Sequence, residues 1–178
     1  MKLNAKELRE SNPTPSDLEK IKKNNIYIIL DNVLDTYNIG SIFRLADATG
    51  VKKIYLCGET ETPPNSRIKK ASVGTWQWVD FEHVSDASTA IKKLREKDKK
   101  IKIIAIEQNE KSIPYTGADY SMPLALIVGH ETFGVSKDAI SLSDTIVELP
   151  MLGVNISLNV MVSLGIVLYQ ALEHDGLS

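Results

Sequence analysis

Five short runs, Ile26–Leu30, Lys53–Leu56, Lys102–Ile106, Leu124–Val128 and Thr145–Leu149, constrain the fold more than anything else in the chain. Each is rich in β-branched residues and is bounded by Gly, Pro, Asp or Asn, so each reads as a strand. Several are apolar at consecutive positions rather than at alternate ones. A strand covered on both faces needs that pattern, and such strands belong to parallel sheets sandwiched between helices. Helical periodicity fills the gaps at Ile39–Thr49, Ala87–Glu96 and Leu158–Leu172. Phe43, Leu45 and Ala46 share one side of the first helix. Val160, Leu164, Val167, Leu168 and Leu172 make a broad stripe on the last. The expected architecture is α/β, a mostly parallel sheet flanked by helices.

A chain of 178 residues suits one domain with a core that needs no staples. The polar first twenty or so residues, with Asn12-Pro13-Thr14-Pro15, read as an attached extension. The expected division is therefore residues 1–24 as a short N-terminal extension and residues 25–178 as the folded domain. Cys57 is the only cysteine, which rules out an intrachain disulfide and suits a reducing compartment. Met1–Lys23 lacks the apolar run of a signal peptide, and Leu158–Leu172 is too short to span a bilayer. A cytoplasmic protein without membrane contact is expected.

Net charge is −2, but the charge is unevenly spread. Seven basic residues (Lys92, Lys93, Arg95, Lys97, Lys99, Lys100, Lys102) stand against Glu96 and Asp98, and no Lys or Arg follows Lys137. One face can attract phosphates, with Lys92, Lys93, Arg95, Lys69 and Lys70 the expected contacts, although a solvated helix surface has the same composition.

Several chemistries lack their residues. No G-x-G-x-x-G follows the first strand, as a dinucleotide site would require. Gly129–Gly134 has the glycine spacing of a phosphate loop, but Val135-Ser136-Lys137 stands where the Lys–Ser/Thr pair belongs. His83, His130, His174 and Cys57 show no metal-ligand spacing, so no metal site is expected. A G-x-S-x-G elbow is absent.

Three segments remain, each at the C-terminal end of an expected strand, the edge where open parallel sheets bind ligands. The first is Asn38-Ile39-Gly40-Ser41-Ile42-Phe43-Arg44. Asn38 sits at a helix start, suited to an N-cap, and Arg44 is costly to bury on an apolar helix unless it meets an anion. The second runs from Leu124 into Gly129-His130-Glu131-Thr132-Phe133-Gly134, with Ser136 placed to cap a following helix. The third is Pro150-Met151-Leu152-Gly153-Val154-Asn155-Ile156-Ser157-Leu158-Asn159. Ser157 is the expected cap of the last helix, which leaves Asn159 in its first turn without a structural use.

Taken together and in this order, N-x-G-x-x-x-R, G-x-E-x-x-G and P-M-x-G-x-x-x-S-L-N closely resemble the motifs of the TrmH (SpoU) branch of the SPOUT RNA methyltransferases. Ala71-Ser72-Val73-Gly74-Thr75 resembles that family's S-x-G segment, and the likeness covers roughly Ile26 to Leu172. The resemblance implies an α/β domain closed by a C-terminal deep trefoil knot (the SPOUT fold), a homodimer with the last helix at its interface, and S-adenosyl-L-methionine as methyl donor. It further implies transfer to a ribose 2′-hydroxyl of RNA. Outside the motifs the sequence departs from the family in its short N-terminal extension and in having no separate RNA-binding domain appended. Transfer RNA is expected before ribosomal RNA, because a compact protein can still span a small structured RNA. Carried over residue by residue, it implies that Gly129, Leu149, Met151, Gly153, Ser157 and Leu158 hold the cofactor. Arg44, Asn38, Glu131, Ser157 and Asn159 would form the catalytic set. A non-catalytic RNA-binding module of the same fold need not keep Arg44, Glu131 and Asn159. A base methyltransferase of another SPOUT branch would be expected to lack the arginine motif.

Overall fold

The computed structural model describes residues 2–176, so the first residue of the expected extension and the last two of the expected domain lie outside it. In chain order the elements are α1 (Ala5–Glu10), α2 (Pro15–Glu19), β1 (Asn24–Asp31), α3 (Thr36–Ala48), β2 (Val51–Cys57), α4 (Ser66–Ser72) and β3 (Phe81–Val84). There follow α5 (Ala87–Lys97), β4 (Lys102–Ile106), β5 (Ile113–Pro114), β6 (Leu124–Gly129), α6 (Lys137–Leu142), β7 (Thr145–Glu148) and α7 (Val160–His174). The strands form one seven-stranded sheet in the order β3-β2-β1-β6-β4-β7-β5. Every pairing is parallel, which sharpens the expected "mostly parallel".

Alternation along β1 explains the two layers. Ile26, Ile28 and Leu30 point into a core shared with Ile39, Ile42 and Phe43 of α3, Ile68 of α4 and Leu164, Val167 and Leu168 of α7. Ile29, between them, points the other way, into a core with Ala87, Ile91 and Leu94 of α5 and Ala139 of α6. Helices α3, α4 and α7 thus cover one face, and α5 and α6 the other. The six residues of β6, at the centre, are all buried. Burial on both faces is what its unbroken apolar run required.

Sequence boundaries shift where tertiary contacts decide them. The third helix, α3, starts at Thr36 with Asp35 as its cap, whose side chain accepts from the Tyr37 amide at 2.8 Å. Asn38 is therefore inside the first turn and buried, not a cap. Helix α7 starts at Val160 with Asn159 as its cap, and Ser157 lies in an exposed loop. The extension holds α1 and α2, each with a capping box and no buried residue. A Cβ on Gly74 would strike the Leu8 carbonyl, so α1 lies close against the turn that follows α4.

Candidate active site

Four loops meet at the C-terminal edge of the sheet. The loop after β6 is a tight turn in which His130 and Gly134 exchange backbone hydrogen bonds of 3.0 and 2.8 Å. A Cβ on Gly129 would run into the backbone of Gly134 and Val135, so only glycine fits there. Gly134 has φ +70°, and the Glu107 carboxylate occupies the place its Cβ would take. Two more contacts fix the turn from below. Val135 donates its amide to Glu107 at 2.8 Å, and Ser136 donates its amide to the buried Asp31 at 2.8 Å.

One chain of hydrogen bonds runs through all three motifs. The Asn159 side-chain Nδ2 donates to Asn38 Oδ1 at 2.9 Å, and Asn38 Nδ2 donates to Glu131 Oε1 at 3.1 Å. Glu131 also accepts from the amides of Leu34 (3.2 Å) and Asp35 (3.1 Å), at the entry to α3. Asn159 spends its oxygen on the amides of Met161 (3.0 Å) and Val162 (3.3 Å), capping α7. The starts of α3 and α7 are thereby tied to the loop after β6. Burial pushes the Glu131 carboxyl up, but hydrogen bonds from its own backbone, Asn38, Asp35 and Leu34 outweigh this and hold it below the ordinary carboxylate value.

Behind this network lies a cavity of about 570 Å³, open to solvent. Its walls come from the ends of β4 (Ile106, Glu107, Gln108) and β6 (Val128–Glu131), and from the segment Glu148 to Asn159 after β7. Gln108 closes one side by donating its side-chain amide to the Ile156 carbonyl at 2.7 Å. The volume lies within the range of small-molecule sites, and the mixed apolar and polar lining suits a ligand with an aromatic base and charged ends.

Of the residues implied to hold a cofactor, Gly129, Leu149, Met151, Ser157 and Leu158 line this cavity. Gly153 is exposed and outside the lining, with open space where a Cβ would be. Of the implied catalytic set, Glu131, Ser157 and Asn159 line the cavity, and Asn38 joins them through its two hydrogen bonds. Arg44 stands apart. It is exposed, and among the described residues its side chain makes no hydrogen bond or ion pair. No burial cost therefore has to be offset by an anion, which removes the argument that first singled it out. Among the described residues, no cluster of three His, Cys, Asp or Glu is placed to hold a metal.

Glu107, Gln108 and Asp31 are missed by motif reading. They follow or end strands, and they act on backbone amides and carbonyls far away in sequence, which no local spacing announces. The polar Glu107-Gln108 pair directly after an apolar strand was the one available signal.

The expected basic face divides. Lys93 pairs with Glu82 (2.6 Å), Arg95 with Asp144 (2.8 Å), and Lys102 with Asp119. Lys92, Lys97, Lys99 and Lys100 remain exposed. All belong to α5 or the segment after it, on the sheet face opposite α3 and Arg44.

Comparison with known proteins identifies the family. A tRNA (guanosine(18)-2′-O)-methyltransferase of Aquifex aeolicus is 34% identical over 161 residues, covering 86% of this chain and 71% of that protein. The crystal structure of the A. aeolicus TrmH/SpoU tRNA modifying enzyme superposes with a TM-score of 0.77 at 30% identity, covering 97% of this chain and 84% of that one. An AdoMet-bound rRNA methyltransferase from Sinorhizobium meliloti gives 0.77 at 27% identity, over 94% of this chain and 60% of that one. The family to which such enzymes belong uses S-adenosylmethionine. With the family model described as the SpoU rRNA Methylase family matching residues 25–169, this chain belongs to the SpoU rRNA methylase family.

Proposed function

We propose that this chain, an RNA 2′-O-ribose methyltransferase by family, binds S-adenosylmethionine in the cavity between the β4, β6 and β7 loops and methylates a ribose 2′-hydroxyl of transfer RNA. The observation that carries the reading is the turn at Gly129 and Gly134, where a side chain would collide with the turn's own backbone or with Glu107 and whose residues line a cavity of about 570 Å³. Leu149, Met151 and Leu158 supply apolar walls for the adenine, while Gly129 and the 155–157 segment supply close backbone and the Ser157 hydroxyl. When bound, the cofactor supplies a methyl group activated by its sulfonium charge.

The chain's own residues act on the nucleophile. Arg44 contacts the target phosphate and stabilises the developing alkoxide; it is not a simple base, because guanidinium stays protonated. Glu131, Asn38 and Asn159 fix the start of α3 relative to the cavity, and so fix the helix that carries Arg44. We further propose that the segment after β7 threads the preceding loops as a trefoil knot, supported by the Gln108–Ile156 bond that links them. In this reading residues 1–24 are an accessory segment on a domain of residues 25–178. The active form is a homodimer through α7, and the protein works in the cytoplasm. No helix among the described residues is long and apolar enough to cross a membrane.

Calorimetry with S-adenosylhomocysteine, followed by methyl transfer into unmodified tRNA and nucleoside analysis, tests the reading. One binding event per chain and a 2′-O-methylated nucleoside are expected. No binding, or a methylated base, would refute it.

A further inference from the structure

We infer that α4 is the surface that grips the phosphodiester backbone of the RNA and brings it to Arg44; the inference rests on the RNA methyltransferase reading above. From Thr62 to Val79 the chain carries Arg67, Lys69 and Lys70 and no acidic residue. All three side chains are exposed, and none makes an ion pair or side-chain hydrogen bond among the described residues. Helix stability accounts for only part of this. Lys69 and Lys70 sit in the last turn, where a cation suits the helix dipole, but Arg67 sits in the first turn, where it opposes the dipole. Its charge is therefore placed against local preference, as a group serving a ligand would be.

The packing of α4 supplies the geometry. A Cβ on Gly40 would meet the Ala71 Cβ at 2.5 Å and the Ile68 carbonyl at 2.8 Å, so α4 lies directly on α3 at that glycine. Arg44 follows Gly40 by one turn, roughly 40° around the helix and about 6 Å along it, on the side that receives α4. Four cations, Arg44 and the three of α4, thus lie on one layer of the molecule. The basic residues of α5 lie on the opposite layer, and Lys93 and Arg95 there are already neutralised by Glu82 and Asp144. A phosphate backbone laid across α4 reaches Arg44 without crossing the sheet; one laid across α5 does not. The sequence offers Lys69 and Lys70 together with Lys92, Lys93 and Arg95 as phosphate contacts; the fold separates the two groups and favours α4, with Arg67 added.

The test compares two full-length triple variants of equal charge change. Arg67→Glu/Lys69→Glu/Lys70→Glu alters α4, and Lys92→Glu/Lys97→Glu/Lys99→Glu alters α5 and its exit. Binding of an unmodified tRNA transcript is measured by fluorescence anisotropy across a salt series, with melting temperature and S-adenosylhomocysteine affinity as controls. The α4 variant should lose at least about tenfold in RNA affinity near 0.1 M salt and show a salt dependence shallower by about two phosphate contacts. Its cofactor affinity and melting temperature should match wild type, and the α5 variant should bind RNA within about twofold of wild type. Unchanged RNA binding by the α4 variant, or an equal loss in both variants, would overturn the inference while leaving cofactor binding and methyl transfer intact. A wild-type chain that bound neither cofactor nor RNA would overturn the parent reading and this one with it.

Discussion

Asn159 uses every polar atom it has: its oxygen caps α7 and its nitrogen reaches Asn38. Replacing it with alanine frees two amides at the start of α7 and unlatches Asn38, so Asn159→Ala should lower unfolding stability by about 1–2 kcal/mol. Ser157→Ala, in an exposed loop, should stay within about 0.5 kcal/mol, and urea denaturation of the pair measures both. Arg44 presents the reverse case. Exposed and unpaired among the described residues, it holds nothing in place, so Arg44→Ala should leave the melting temperature and S-adenosylhomocysteine affinity at wild-type values. If it stabilises developing charge, turnover should fall by roughly 10²–10³. Arg44→Lys should be badly impaired as well, because lysine keeps the charge but loses the planar fork. Near-normal transfer by the alanine variant would remove Arg44 from the mechanism. Glu131 adds a pH dependence. Its carboxyl is held below its ordinary value of 4.5, so the ionised form stabilises the fold above about pH 4.5, and that contribution is lost as pH falls through the lowered value. Glu131→Gln should flatten this acid limb in a urea series between pH 3 and 6, and an unchanged limb would assign it to other carboxylates.

At the scale of elements, Gly40 shows how one missing side chain sets an arrangement. Gly40→Ala places a methyl where Ala71 and the Ile68 carbonyl already are, and overpacking of this kind costs about 1–3 kcal/mol. The melting temperature should drop, and RNA affinity should drop with it as α4 shifts, while cofactor affinity holds. The same elements explain what the sequence made legible. Strands β1, β4 and β6 were readable because burial on both faces demands a continuous apolar run, and Lys102–Ile106 has the expected bounds. The edge strand β3 was not, since Phe81, Glu82 and His83 are only partly buried or exposed. Helix α4 escaped because seven residues with Ile68 as the one large buried side chain carry too little periodicity. The start of α7 was misjudged for the opposite reason. Leu158 extends the apolar pattern backwards by two residues, yet with Leu152, Val154 and Ile156 it belongs to an exposed loop whose hydrophobicity serves something other than the core. The motif spacings found Gly129, Glu131, Asn38 and Asn159; Glu107 and Asp31, which grip the same loop through its amides, were hidden because their partners are 28 and 105 residues away.

For the whole molecule, the remaining question is what covers its exposed apolar surface. On α7, Leu164, Val167, Leu168, Ala171 and Leu172 face the sheet, and Val162, Ile166 and Tyr169 form a second stripe on the outer side, 40%, 37% and 55% exposed. Leu34 and Tyr37, at the entry to α3, are also exposed. A helix apolar on two sides is explained by two partners, and the sheet accounts for only one of them. A second copy meeting the first about a two-fold axis would bury the same stripe twice, which is the commonest closed arrangement of identical chains. If α7 is that interface, Ile166→Glu/Tyr169→Glu should convert the protein from twice the mass of one chain to one, as read by light scattering during gel filtration. The circular dichroism spectrum should be unchanged, because neither side chain reaches the inner core. Cofactor binding is the informative second readout. The cavity is built from one chain's loops, but Leu152, Val154 and Ile156 beside it stand almost fully exposed, at 95%, 100% and 77%. If the partner also covers them, the monomeric variant should bind S-adenosylhomocysteine more weakly as well. A variant that stays dimeric would move the interface off α7, and a wild-type chain that runs as a monomer would leave the outer stripe to a different partner.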